Sequence, residues 1–290
     1  MAKNRKYHEP VNWKKELRLA PGYLILLLWI SFTFVLLGWV LLASFSTTKE
    51  IFSNKLLASG LHFENYVKAW INSDVAGIFR NSLIYSMISC VLLIIICAPA
   101  AYVLARFVFP GNKLIQTGFV SAMGVPVVMI VLPLFGIVAN LGILNHVLSN
   151  SILLIFLYIG INVPYTTIFL MTFFGNLSRA FEEAAAIDGA SFSQRLFLVV
   201  LPLMKPAIAT VCIINFITCL NNFFTPLYYS NGIQVLSVAI VQLPLRDNMY
   251  GVPWDLVSSM GWIILLPIII FVAVFEKQIM DGIMAGGVKA

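Results

Sequence analysis

The chain has 290 residues, 60% of them hydrophobic and 10% charged, with a formal net charge of +6 and a mean hydropathy of +0.95. Soluble domains carry about 25% charged residues and disordered chains are poor in apolar ones, so both classes are excluded. The charges stand in islands between long apolar stretches, as in a polytopic membrane protein.

Five uncharged stretches set the spans: 19–48 (30 residues), 81–105 (25), 114–178 (65), 206–245 (40) and 256–275 (20). A hydrocarbon core takes about 20 helical residues, and a charge at its centre costs about 2.5–3.5 kcal/mol. The 65-residue stretch therefore folds back once, at 140–146, and the 40-residue stretch holds one span followed by a less continuous segment over 230–244. Six transmembrane helices are expected, near 22–45, 82–105, 114–139, 149–174, 207–228 and 255–275, in an all-α membrane protein. Residues 1–20 form a basic terminus, 21–276 the six-span domain and 277–290 a tail.

Lysine and arginine set the orientation. With both termini cytoplasmic, thirteen lie inside; Lys49, Lys55, Lys68 and Arg246 lie outside, with Arg80 at a boundary. This satisfies the positive-inside rule and reads the net charge as basic flanks against membrane lipid, with no nucleic acid partner. The apolar run behind the amino-terminal basic island is too long for a signal peptide, so a retained signal-anchor helix is expected. In the third span Gly124, Pro126, Pro133 and Gly136 predict a kink.

Inventory argues against catalysis. The sequence has no phosphate-cradling loop, no H-E-x-x-H and no G-x-S-x-G. His8, His62 and His146 lie in a terminus or loops with no carboxylate or thiol set expected nearby. Cys90, Cys97, Cys212 and Cys219 fall inside spans without C-x-x-C spacing, so they read as small buried apolar residues, and no metal is expected. Apart from Asp255 at the first position of the last, the spans hold no titratable group of the kind ion-coupled transporters use. If the chain moves a solute, the energy enters elsewhere.

The island 179–202, between spans four and five, is built to form two short helices. Phe181, Ala184, Ala185 and Asp188 share a face by i, i+3, i+4, i+7 spacing. Gly189 stands where a left-handed glycine ends a helix, and Ser191 with Gln194 makes the capping box that starts another. Pro202 is expected to interrupt the second helix, and Pro206 suits the first turn of span five. The result is a rigid knob on a transmembrane helix.

Glu183-Ala184-Ala185, three residues, Gly189, nine residues, then Val199-Val200-Leu201-Pro202 resembles the EAA loop of binding-protein-dependent ABC importer permeases, E-A-A-x3-G-x9-I-x-L-P. Val199 stands for isoleucine, and Ser178 for a proline usual before the loop. Asn221-Asn222-Phe223-Phe224-Thr225-Pro226-Leu227 is similar to a second family segment, with Leu220 where tryptophan is usual. The tail from Gln278 to Ala290 resembles the smaller permease of maltose-type carbohydrate importers. The resemblance implies a second, non-identical permease, two copies of an ATPase that binds the ATP, and an extracytoplasmic sugar-binding protein in a bacterial inner or plasma membrane. This chain then carries no cofactor and no enzyme activity. Glu182, Glu183, Ala184, Ala185, Asp188, Gly189 and Pro202 are the implied ATPase-coupling residues, and Gly286, Gly287, Val288 and Lys289 an implied tail along the ATPase interface. An importer for another solute, such as a glycerol-phosphate compound, is the alternative within the family; a self-sufficient secondary transporter is the alternative outside it.

Asn215, Thr218, Asn221, Asn222 and Thr225 fall within about 120° of one face of span five. The stripe either lines a sugar pathway or bonds neighbouring helices, the commoner use of such residues in spans. The loops 46–79 and 229–254 are the segments available to a binding protein.

Overall fold

The computed structural model describes residues 13–243, 245 and 250–287, and every regular element among them is helical. The chain divides into two compact units, Met1–Tyr66 with Leu245–Trp262, and Val67–Pro244 with Ile263–Ala290.

In the first unit α1 (Trp13–Ser44) carries the apolar stretch Leu19–Ser44, none of whose most apolar window is buried. Its carboxyl end is closed by side chains. Asn65 Nδ2 donates to the carbonyls of Ser44 (3.1 Å) and Ser46 (2.9 Å), and Ser259 Oγ donates to Ser44 O at 3.0 Å. These answer carbonyls that the helix itself leaves without partners. The next helix, α2 (Thr48–Phe52), starts at a Thr47/Glu50 capping box, and α3 (Glu64–Asn72) follows.

Glu50 is the hub of this loop. Its Oε2 accepts from Thr47 N–H at 2.8 Å, and its Oε1 from the Ser59 N–H and hydroxyl at 2.6 and 2.7 Å. The Thr47 amide, then the Ser59 hydroxyl, hold its carboxyl down at about 2. The structure corrects the isolation expected of His62, whose Nδ1 is 2.9 Å from Glu64 Oε1 and whose Nε2 is 2.8 Å from Ser59 Oγ. Residues within five positions meet here because the turn folds them together. Ser59 donates its one hydroxyl proton to Glu50, so the group is a structural network rather than a nucleophile relay.

In the second unit α4 (Val75–Arg106) begins at Asp74, whose Oδ1 accepts from Gly77 N–H at 3.3 Å. The expected third span is two helices, α5 (Asn112–Met123) and α6 (Val127–Asn140), meeting at 90°. At about 1.5 Å per residue neither crosses a membrane alone. Of the four expected kink residues, Gly124 and Pro126 flank the break, because proline has no N–H and disfavours helix at Val125. Pro133 and Gly136 stay inside α6. A turn of 3₁₀-helix, Ile143–Asn145, makes the expected fold-back into α7 (Val147–Asn176).

After α8 (Ala180–Ile187), the run Phe192–Leu203 comprises α9 (Phe192–Gln194), a π-helical stretch Arg195–Val200 and α10 (Leu201–Leu203). It meets α11 (Lys205–Asn221) at 72°. Pro202 therefore does not interrupt the second helix. The wider π turn, with Leu201 N–H on Leu196 O, precedes the proline, and the break falls at Met204. Span five also stops earlier than expected, at Asn221, because Asn222 is extended and its Oδ1 accepts from Thr225 N–H at 3.0 Å. Then come α12 (Phe224–Tyr229), α13 (Leu236–Ala239) and α14 (Trp254–Gly287).

Four stretches, Leu19–Ser44, Val75–Arg106, Val147–Asn176 and Trp254–Met280, are long and apolar enough to cross a membrane, and counting each bent pair as one span brings the number to six. The core of the second unit joins α4 and α7 through Leu93, Cys97, Ala98, Ala101, Tyr102, Leu170 and Phe174. The small α4 residues let the helices approach closely. Leu196, Val200, Met204, Ala207 and Val211 belong to the same core, so the run after α8 is packed rather than loose.

The Glu50 network carries a pH dependence. A carboxyl lowered in the folded state stabilises it above its ordinary value of 4.5, and that contribution is lost as pH falls from there toward 2. Hydrogen-exchange protection of the Ser59 amide, corrected for intrinsic rate, is expected to fall across this window. Glu50→Gln should lower it already at neutral pH; unchanged protection would show that the carboxylate does not hold the loop.

Candidate functional site

The turn between α8 and α9 has the capping chemistry expected of its residues. Gly189 takes φ +80°; its N–H donates to Ala186 O at 3.1 Å and Ala190 N–H to Ala185 O at 2.9 Å. These two bonds close the α8 carboxyl end. Ser191 and Gln194 then cap each other, Ser191 N–H on Gln194 Oε1 at 2.8 Å and Gln194 N–H on Ser191 Oγ at 3.4 Å. The angle between the short helices is thus set by backbone bonds.

A buried ion pair fastens α8 to α4. Arg106 Nε stands 2.8 Å from Glu182 Oε1, with side chains 6% and 13% exposed. The N–H does not point along that line, so charge rather than a hydrogen bond holds this contact. Tyr102 Oη donates to Glu182 Oε2 at 2.5 Å, and Arg106 Nη2 donates to Leu177 O at 2.7 Å, at the end of α7. Phe192 of α9 packs on Tyr102 and Phe107, each with ring centroids 5.9 Å apart. Ser178 Oγ accepts from Ala180 N–H at 3.3 Å at the entry to α8.

The implied coupling residues therefore divide. Glu182 turns inward to Arg106 and Ala185 is half-buried, whereas Glu183, Ala184, Asp188 and Gly189 are exposed beside Ile187, itself 86% exposed. Pro202 is exposed and follows the π turn. Ala185, Asp188, Gly189, Gln194 and Leu198 line a shallow groove between the short helices. In the tail, Gly286 and Gly287 are the last residues of α14; Val288 and Lys289 lie outside the described residues. Thr210 Oγ1 donates to Gln278 O at 2.9 Å, tying α11 to α14.

The five polar residues of span five do not share one helix. Asn215 is fully buried and exchanges two bonds with Thr166 of α7, at 2.9 and 3.2 Å. Thr218 is exposed and bonds Ile214 O in its own helix at 2.8 Å. Asn221 ends α11, Asn222 caps the next helix, and Thr225 is buried in α12. Sequence reasoning missed the pairing of Tyr102 and Arg106 with Glu182. Its only sequence signal was an arginine at the end of a span.

A family model for the binding-protein-dependent transport system inner membrane component matches residues 92–281. The diacetylchitobiose uptake system permease protein NgcG of Streptomyces coelicolor is 32% identical over 92% of this chain and 88% of its own length. The trehalose/maltose transport system permease protein MalG of Thermococcus litoralis is 27% identical, covering 95% and 97%. In fold, the chain is similar to a chain of a bacterial ABC transporter that imports the acidic polysaccharide alginate, with TM-score 0.72 and 22% identity over 93% of this chain and 99% of that one.

The buried pair generates a stability test. Arg106→Ala leaves Glu182 without its counter-charge and is expected to cost about 3–5 kcal/mol, whereas Arg106→Met with Glu182→Met restores most of it. Thermal unfolding of the purified chain in lipid measures both. An Arg106→Ala melt equal to wild type would show that the pair does not hold α8.

Proposed function

The chain belongs to the family of binding-protein-dependent transport system inner membrane components, and from that membership we propose that it is one of two unlike permease subunits of an ATP-driven sugar importer. Members of this family are permease components, not enzymes; ATP is bound and hydrolysed by a separate subunit. In this reading six passes cross the inner or plasma membrane, with both termini in the cytoplasm. Two copies of the ATPase sit below, and a loaded sugar-binding protein docks on the other face. That the relatives' names specify sugars supports the carbohydrate assignment.

The observation that carries the proposal is the knob formed by α8 and α9. Glu183, Ala184, Asp188 and Gly189 present the surface that an ATPase cleft grips. Glu182 and Ala185 position it, and Pro202 with its π turn sets the angle at which the knob joins α11. Because Leu196, Val200 and Met204 lie in the core shared by α4 and α7, a push on the knob moves helices rather than bending a loop. Closure of the ATPase dimer then favours one of two permease states and the binding protein the other, which couples ATP to alternating access. Gly286, Gly287, Val288 and Lys289 extend the contact along the ATPase. Asn215 joins helices, leaving Thr218 and Asn221 to border the pathway.

Affinity purification of the tagged chain from its membrane in mild detergent, followed by mass spectrometry, tests this. A second permease and a P-loop ATPase are expected. Gly189→Pro forbids the φ of +80°, and Glu183→Arg reverses an exposed charge. Both should abolish ATP-dependent sugar uptake into vesicles while leaving membrane insertion intact. A chain that purifies alone, or uptake that survives both substitutions, would overturn the reading.

A further inference from the structure

A second cavity lies away from the knob, where the end of α6 and the segment after α12 meet. It encloses about 620 Å³, within the roughly 300–1,000 Å³ range of small-molecule sites. Phe135 and Tyr228 give it two aromatic rings, 5.7 Å apart and inclined at 58°. Ser230, Asn231, Gln234 and Gln242 give it one hydroxyl and three amides, and none of its described lining residues is charged.

The polar wall is held from behind mainly through its backbone; of its amides Asn231 is engaged, its Nδ2 donating to Leu144 O at 3.4 Å. Asn150 Nδ2 donates to Asn231 O at 2.7 Å, and Asn81 Nδ2 to Gln234 O at 3.1 Å. Ser82 Oγ accepts from Leu236 N–H at 2.8 Å, and Tyr229 Oη donates to Val131 O at 2.7 Å beneath the aromatic pair. Gly232 makes the turn at φ +74°, where a Cβ would stand 3.0 Å from Val147 Cγ2. The side-chain amides of Gln234 and Gln242 make no hydrogen bond among the described residues, although the backbone beside them is bonded on both flanks. A backbone fixed this way sets where these amides start from before a ligand arrives, which spares the cost of ordering the segment itself.

We propose that this cavity is a contact site for an uncharged saccharide in transit, placed in this subunit and separate from the stripe of span five. The proposal rests on the importer reading. Aromatic rings receive the C–H face of a pyranose, and amides that both donate and accept suit neighbouring hydroxyls. A uronate or sugar phosphate calls for arginine or lysine, and among the described residues the lining has neither.

The test uses the assembled transporter in lipid nanodiscs without its binding protein, so that any sugar signal comes from the membrane chains. Saturation-transfer NMR is run with maltotriose, raffinose and diacetylchitobiose as neutral probes and a glucuronate disaccharide as the acidic one. At least one neutral probe is expected to give a signal and the acidic probe none. Tyr228→Leu, and separately Gln234→Ala with Gln242→Ala, should weaken that binding by about five- to tenfold, in assemblies whose subunit content matches wild type. The glutamine pair is exposed, so it keeps the test open if the tyrosine variant fails to assemble. Silence of every neutral probe, a signal from the acidic probe alone, or a neutral signal that survives the glutamine pair overturns the proposal. Failure of the importer reading shows separately, as a chain that recovers no ATPase.

Discussion

Hydrocarbon offers no water to a backbone N–H or C=O, so each place where a helix of this chain stops must be answered by another part of the protein. The structure meets that constraint with a small set of amides, hydroxyls and one guanidinium. Asn112 Nδ2 donates to Leu104 O and Phe107 O, and Gln116 Nε2 to Leu104 O, closing the end of α4. Arg106 reaches Leu177 O at the end of α7, Asn222 caps α12, and Asn150 holds two carbonyls in the turns at either side of α7's start.

The same economy is seen where α8 meets α4. A charged residue at the end of a span could remain solvated, but Arg106 is buried against Glu182 and a free carbonyl. Removing either partner leaves an uncompensated charge, so α8 cannot drift from α4 without a large penalty. On its other side the knob continues through the run Phe192–Leu203, whose π turn before Pro202 packs in the core, to the 72° break at Met204 that precedes α11. The knob is thus packed on both sides.

The two polar regions of the second unit are put to different uses. Asn215 and Thr166 bond each other in both directions between α11 and α7, and both are fully buried. The amides of Gln234 and Gln242 stand in an open cavity on a segment whose backbone is already satisfied by other residues. Polar composition alone does not separate these cases, since both combine amides with nearby aromatic rings.

What the sequence by itself determined is local or bulk. The apolar stretches are read from composition, because a membrane admits about 20 uncharged helical residues and little else. The Gly189 and Ser191 turn is read from neighbours within five positions, because a left-handed glycine and a capping box act on the chain adjacent to them. The resemblance to the permease family rested on the motif that this same segment carries, and the family match over residues 92–281 bears it out. Tertiary structure alone decided the rest. That Glu182 faces Arg106, that Asn215 pairs with Thr166, and that Phe135, Tyr228 and Gln242 share a cavity all depend on partners far away in the chain. Periodicity places residues on a face of one helix; only packing decides what that face meets.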